Sequence, residues 1–168
     1  MLELAAGREG FKVMTTATLD KVTFRTTGEI LSLVRRFEDC TLPREEWTHA
    51  AHLTVALWHL LQFDWPEAVA RVRRGIKRYN AAHGIVTTPT GGYHETLTIF
   101  WLRVVRLFLE AERNEARALV PLANELAATA DRGLPLKHYT RELLFSPEAR
   151  ANWVEPDLTP LRDNIDGS

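Results

Sequence analysis

Three features of this 168-residue sequence predict an all-α fold, a bundle of five to seven helices with short connections. Apolar residues recur at helical spacing, Pro and Gly fall where helices start and stop, and no sustained strand alternation is present. Residues 28–162 read as the helical domain, 1–27 as a weakly structured N-terminal segment, and 163–168 as a tail. Leu19, Val22 and Phe24 alternate weakly enough to suggest a short strand at most, and Met14 offers an alternative start that would make 1–13 dispensable.

The first helix is carried by Ile30, Leu33, Val34 and Phe37, spaced i, i+3, i+4, i+7 on one face. A break at residues 41–43 precedes a second helix over 44–63, with Thr41 as N-cap and Pro43 near its first position. Asp64 and Pro66 open a third, closed by Gly84. Gly75 inside it costs about 1 kcal/mol relative to Ala, a sign of close packing or of tolerance. The fourth helix starts near Tyr93 and is apolar nearly all round, which places it at the centre. A fifth contains Pro121 and ends before Gly133, and the tail holds two short helices, the second capped by Ser146 with Pro147 at its first position.

Composition excludes several functions. The 21 basic and 22 acidic residues leave a net charge of -1, without the basic excess of a nucleic-acid binder. The most apolar run is interrupted by Arg103 and Arg106, so no membrane span is expected. Cys40 is the single cysteine, which rules out an internal disulfide and fits a reducing, cytoplasmic setting. It reads as a small buried hydrophobe rather than a nucleophile. Arg71, Arg74 and Arg78 share a face that reads as solvated.

The chemistry concentrates in two places. "THAAHL" and the residues after it put His49, His52 and His59 on one helix, with His52 and His59 almost eclipsed and His49 about 60° to the side. "GGYHETLT" puts His94 and Glu95 in the first turn of the fourth helix, where the dipole favours an anion or a neutral imidazole. Imidazoles one turn apart can share a small volume, as a metal ion requires. His49, His52 and His94 are therefore the candidate ligands of a single divalent ion (Zn, Ni, Fe or Mn), with Glu95 and His94 as the catalytic acid–base groups. Trp47, Tyr93 and Thr98 flank them as substrate contacts. Arg150 and Asp157 either clamp the tail onto the bundle or line the site if the tail folds over it. His59 reads as structural, His83 as a partner for a helix C-terminus worth about 0.5 kcal/mol, and His138 has no evident partner. Glu46 and His49 have the Glu-x-x-His spacing of di-iron bundles, but no second such pair exists.

Together, "WTHAAHLTVALWHL", "GGYHETLT" and "LLFSPEARANWVEPDLTPL" resemble a family of small bacterial proteins with Thr-His-x-x-His-Leu, Tyr-His-Glu-Thr and Ser-Pro-Glu-Ala-Arg…Pro-Asp-Leu motifs, over residues 28–161. The resemblance implies importance for His49, His52, Tyr93, His94, Glu95, Ser146, Arg150 and Asp157, and it implies no reaction or cofactor.

Three readings stay open at this level. The first is a small-molecule enzyme, a metal-dependent hydrolase or oxidoreductase; a homo-oligomer is compatible with it. The second is a metal-free acid–base or anion-binding pocket. The third is a non-catalytic helical module with structural histidines.

Overall fold

The computed structural model describes residues 23–112 and 117–161. The expected strand around Leu19 and Val22, the alternative start at Met14, the 163–168 tail and the first residues of the fifth helix lie outside this set. Among the described residues there are eight α-helices and no strand: α1 (Thr27–Glu38), α2 (His49–Gln62), α3 (Trp65–Ala82), α4 (Glu95–Ala111), α5 (Leu119–Thr129), α6 (Pro135–His138), α7 (Arg141–Leu144) and α8 (Pro147–Ala151). None is long and apolar enough to cross a membrane.

α1 starts with a capping box, in which Thr26 accepts from the Glu29 N–H and the Glu29 carboxylate turns back to the cap backbone. It buries Ile30, Leu33, Val34 and Phe37, the face expected from the spacing. It ends at Asp39, and Cys40 follows with φ 58°, a left-handed residue that lets the Thr41 N–H close onto the Arg36 carbonyl. Cys40 is partly exposed.

The second helix departs from expectation. Residues Arg44–Glu46 form a single 3-10 turn, and Trp47 leaves helical geometry. Thr48 then caps a fresh start, its hydroxyl accepting from the Ala51 N–H. The cap moves from Thr41 to Thr48, and residues 44–48, expected to be helical, lie outside α2. His49 becomes the first residue of α2.

α2, not α4, is the hub: it packs on α1, α3, α4 and α5. Its buried residues include Ala50, Ala51 and Ala56, small side chains that let neighbours approach from several sides. α4 packs on α2, α3 and α8, and its arginines Arg103 and Arg106 keep one face partly exposed.

α3 is capped by Asp64 and closed by Gly84 at φ 65°, as its sequence predicts. Gly75 has a definite reason. A Cβ there would lie 2.7 Å from the Phe37 ring, so α1 and α3 meet through its missing side chain. Phe37 in turn stacks on Trp47 at 4.6 Å. The link between α3 and α4 is a tight turn, in which the Thr88 N–H donates to the Gly91 carbonyl and Gly92 adopts φ 78°. A Cβ on Gly92 would collide with the Val86 carbonyl at 2.7 Å.

The tail forms three short helices where two were expected. They build a second small core of Phe100, Tyr139 and Leu144 against α4. Thr96 secures the chain after α8, donating to the Asn152 carbonyl at 2.7 Å and accepting from the Val154 N–H.

Candidate functional site

One face of each of three helices converges on a single cavity of about 390 Å³. α2 contributes His49, His52, Val55 and Ala56; α3 contributes Val72, Ile76 and Asn80; α4 and its cap contribute His94, Leu97, Thr98, Trp101 and Leu102. Trp47, Ile85, Gly92, Tyr93 and Arg132 complete the wall. The volume suits a small organic molecule. The structure therefore brings together Trp47, His49, His52, Tyr93, His94 and Thr98. Glu95, Arg150 and Asp157 are not among the lining residues.

His52 is the most site-like of these side chains. Its Nδ1 lies 2.7 Å from the Thr48 carbonyl, and a carbonyl can only accept, so the proton sits on Nδ1. Burial above all pushes its pKa down to about 4; the nearby His49 and Arg132 add to the effect, and the Thr48 bond opposes it. At neutral pH the ring is uncharged, with the lone pair on Nε2. The ring is also held by stacking on Trp47, centroid to centroid 3.8 Å. That stack continues through Phe37, so the groove filled at Gly75 supports the cavity wall indirectly.

His49 points its Nε2–H at the Ala130 carbonyl at the end of α5, 3.0 Å away, and packs edge-on against Trp101 at 4.5 Å. It ties α2 to α5 while forming part of the wall.

His94 is employed on both sides. Its Nδ1 accepts the Leu97 N–H, making it the N-cap of α4, and its Nε2–H donates to the Leu144 carbonyl at 2.9 Å. Burial chiefly lowers its pKa, and Arg150 adds to the depression. With both nitrogens committed and the ring neutral, this arrangement leaves His94 no lone pair for a metal and no proton to exchange.

Glu95 is equally committed. Arg73 donates through Nε to Oε1 at 2.7 Å and through a terminal nitrogen to the same oxygen, while the Tyr93 hydroxyl donates to Oε2 at 2.6 Å. The carboxylate is 9% exposed and the guanidinium 40%. This is an ion pair locking α4 to α3, and it screens the acid from the cavity. Burial first, and the Glu95 bond second, raise the Tyr93 phenol, which stays protonated. Lys77 lies over the Tyr93 ring at 4.6 Å.

The tail residues act on the rim rather than in the cavity. Arg150 donates to the carbonyls of Pro89, Gly91 and Tyr93 at 3.1–3.2 Å, holding the turn that contains Gly92. Asp157 accepts from the Thr140 backbone at 2.7 Å and its hydroxyl at 2.6 Å, bonds that lower its pKa and tie the tail to the start of α7. Ser146 is the N-cap of α8.

The remaining histidines are placed by backbone carbonyls. His59 is buried, with Nδ1 donating to Val55 and Nε2 3.4 Å from the Glu38 carboxylate. His83 donates to the Tyr79 carbonyl at the end of α3 and stacks on its ring at 4.1 Å. His138 donates to Thr159.

Among the described residues, no group of three or more His, Cys, Asp or Glu comes together in a metal-holding arrangement. The proposed donors explain this. His94 spends both nitrogens on the backbone, so it has no lone pair with which to complete a set with His49 and His52.

Sequence reasoning missed Asn80, Trp101 and Arg132. A signal existed for two of them: Trp101 follows Thr98 and His94 at helical spacing, and Asn80 continues Val72 and Ile76 at i, i+4, i+8. Arg132 lies beyond α5 and reaches the site only through the fold. No family model, curated protein or solved structure matches this chain.

Proposed function

We propose that this protein binds a small organic molecule in the cavity between the starts of α2 and α4, without a metal ion, and that His52 Nε2 accepts a hydrogen bond from it. The single observation that carries this reading is the convergence of three helix faces on a largely apolar cavity containing a pinned, neutral imidazole. An imidazole with a pKa of about 4 is a poor general base at neutral pH. It is a good, permanently available acceptor. His94 and Glu95, the other acid–base candidates, are occupied by Leu97, Leu144, Arg73 and Tyr93. Binding is favoured over proton-transfer catalysis for these reasons.

The test is a thermal-shift screen of untagged protein against a fragment library, with metal analysis alongside. A ligand present at a hundred times its Kd stabilises by about 2.7 kcal/mol, several degrees in Tm for a chain of this size. Hits should survive chelator and disappear in His52→Ala. A stoichiometric Zn, Ni, Fe or Mn ion lost in both His49→Ala and His52→Ala would restore the metal-dependent reading. A library without a single hit would leave a purely structural module.

A further inference from the structure

Thr54, His59, Asn80, His94, Glu95 and Thr96 are the buried polar or charged residues among those described. Five of them are bonded within the fold. Thr54 donates to Ala50, His59 to Val55 and Thr96 to Asn152, while His94 and Glu95 are held by Leu144 and Arg73. Asn80 is the exception. The residue is 8% exposed, and its carboxamide has no hydrogen-bond partner among the described residues. The α3 terminus does not use it either: the His83 and Ile85 N–H groups donate to the Asn80 backbone carbonyl, not to its side chain.

A buried carboxamide without a partner costs stability, and folds rarely keep one. Packing did not demand it at this position. Val72, Ile76 and Asn80 follow one another at four-residue spacing on the α3 face that lines the cavity, where leucine would suit both wall and helix better. Neither amide atom is fully enclosed, and the open space that Asn80 borders is the cavity.

The chemistry of this group selects the ligand. A carboxamide presents N–H donors and a C=O acceptor side by side. Its complement is a C=O next to an N–H, the cis-amide edge of a lactam or imide, which takes both bonds at once as a nucleobase edge does from asparagine. The surroundings suit a flat, neutral body. Trp47, Tyr93 and Trp101 line the same cavity, and burial keeps His52 and His94 uncharged at neutral pH. Arg132, also on the wall, is already engaged, and no carboxylate is among the described lining residues. The carboxamide and His52 Nε2 are left as the unspent groups.

We infer that the cavity takes a small neutral lactam or imide, its C=O accepting from Asn80 Nδ2–H, its adjacent N–H donating to Asn80 Oδ1, and its ring lying against the aromatic wall. This rests on the binding function proposed above and specifies its ligand class. Asn80 belongs to α3 and His52 to α2, so the two contacts can be removed separately.

Calorimetric titration of the full chain with 2-quinolone, 2-pyridone and glutarimide tests it, each probe paired with its N-methyl derivative. Quinoline-2-carboxylate serves as the charged comparison. At least one lactam or imide should bind ten-fold or more tightly than its N-methyl derivative and than the carboxylate. Asn80→Leu should bring that compound to the affinity of its N-methyl derivative. Asn80→Asp, which keeps an acceptor but loses the donor, should weaken it ten-fold or more. The carboxamide holds nothing together in the free protein, so Asn80→Leu should keep or raise the melting temperature.

Unchanged lactam binding in Asn80→Leu would overturn the assignment, with the carboxamide satisfied by water instead. A melting temperature several degrees lower in that variant would overturn it too, by making Asn80 a structural residue. N-methyl derivatives or the carboxylate binding as well as the lactams would overturn the cis-amide edge. Each of these results leaves the pocket standing if hits from the fragment screen persist. Absence of saturable binding across the whole set would overturn the lactam class, and together with an empty fragment screen it would overturn the binding function as well.

Discussion

The starts of α2 and α4 are built from similar parts and end in different chemistry. Each places a histidine at the helix entry beside an aromatic residue, and each borders the same cavity. At the α4 start, His94 gives one nitrogen to Leu97 and the other to Leu144, and Glu95 is filled by Arg73 and Tyr93. At the α2 start, Thr48 takes over the capping, so His52 needs only its Nδ1 for the backbone. The difference lies in who caps the helix. Where the histidine caps, it becomes structural; where a threonine caps, an imidazole nitrogen is left over for a ligand.

Substitutions can break this contrast, the largest at the α4 start. Arg73→Ala leaves the Glu95 carboxylate buried without its counterion and should cost about 3–5 kcal/mol in denaturant melts. Adding Glu95→Gln to that variant should recover part of the loss, because the charge is then gone. If Arg73→Ala unfolds no more easily than the native protein, the ion pair is not the lock described here.

The next effect is on pH dependence. His52 folds with a pKa near 4 and unfolds to one near 6.5, so the unfolded chain takes up a proton that the folded chain refuses. Stability from this group is complete above about pH 6.5 and is lost as the pH falls towards 4, by up to about 3 kcal/mol. His94, shifted the same way, adds to the slope. Melting temperatures of the native protein and His52→Gln across this range check it, and the variant should show the flatter profile.

The smallest changes are the most specific. His94→Ala removes a cap and a buried bond to Leu144, and should cost about 1–2 kcal/mol in stability while the cavity still binds. His52→Ala should cost about 1 kcal/mol and abolish the ligand-induced shift. Reversed behaviour of this pair would reverse the roles of the two helix starts.

Much of the fold was legible because it is local. The α1 face of Ile30, Leu33, Val34 and Phe37, the Asp64 cap, the Gly84 stop and the Ser146 cap all depend on residues within a turn or two of one another. The false continuation of α2 back to Arg44 shows the limit: Glu45 and Trp47 fit a helical pattern, but Trp47 leaves it to stack on Phe37 and His52. The placing of α4 at the centre failed for a related reason. Apolarity measures how much a helix buries, whereas centrality here came from the alanines of α2. In the site, helical spacing put His49 and His52 on the face of α2 that lines the cavity. It carried no information on where their second nitrogens would point.

By itself, the sequence determined the helices, most of their caps, and the two short stretches that meet at the cavity, because spacing and capping are set by neighbours along the chain. Only the tertiary structure decided which of those polar groups remain available. The Leu144 carbonyl lies 50 residues from His94, Arg73 lies 22 from Glu95, and the Ala130 carbonyl lies 81 from His49. A buried polar atom takes whichever partner the fold brings within 3 Å, and no local pattern names that partner in advance.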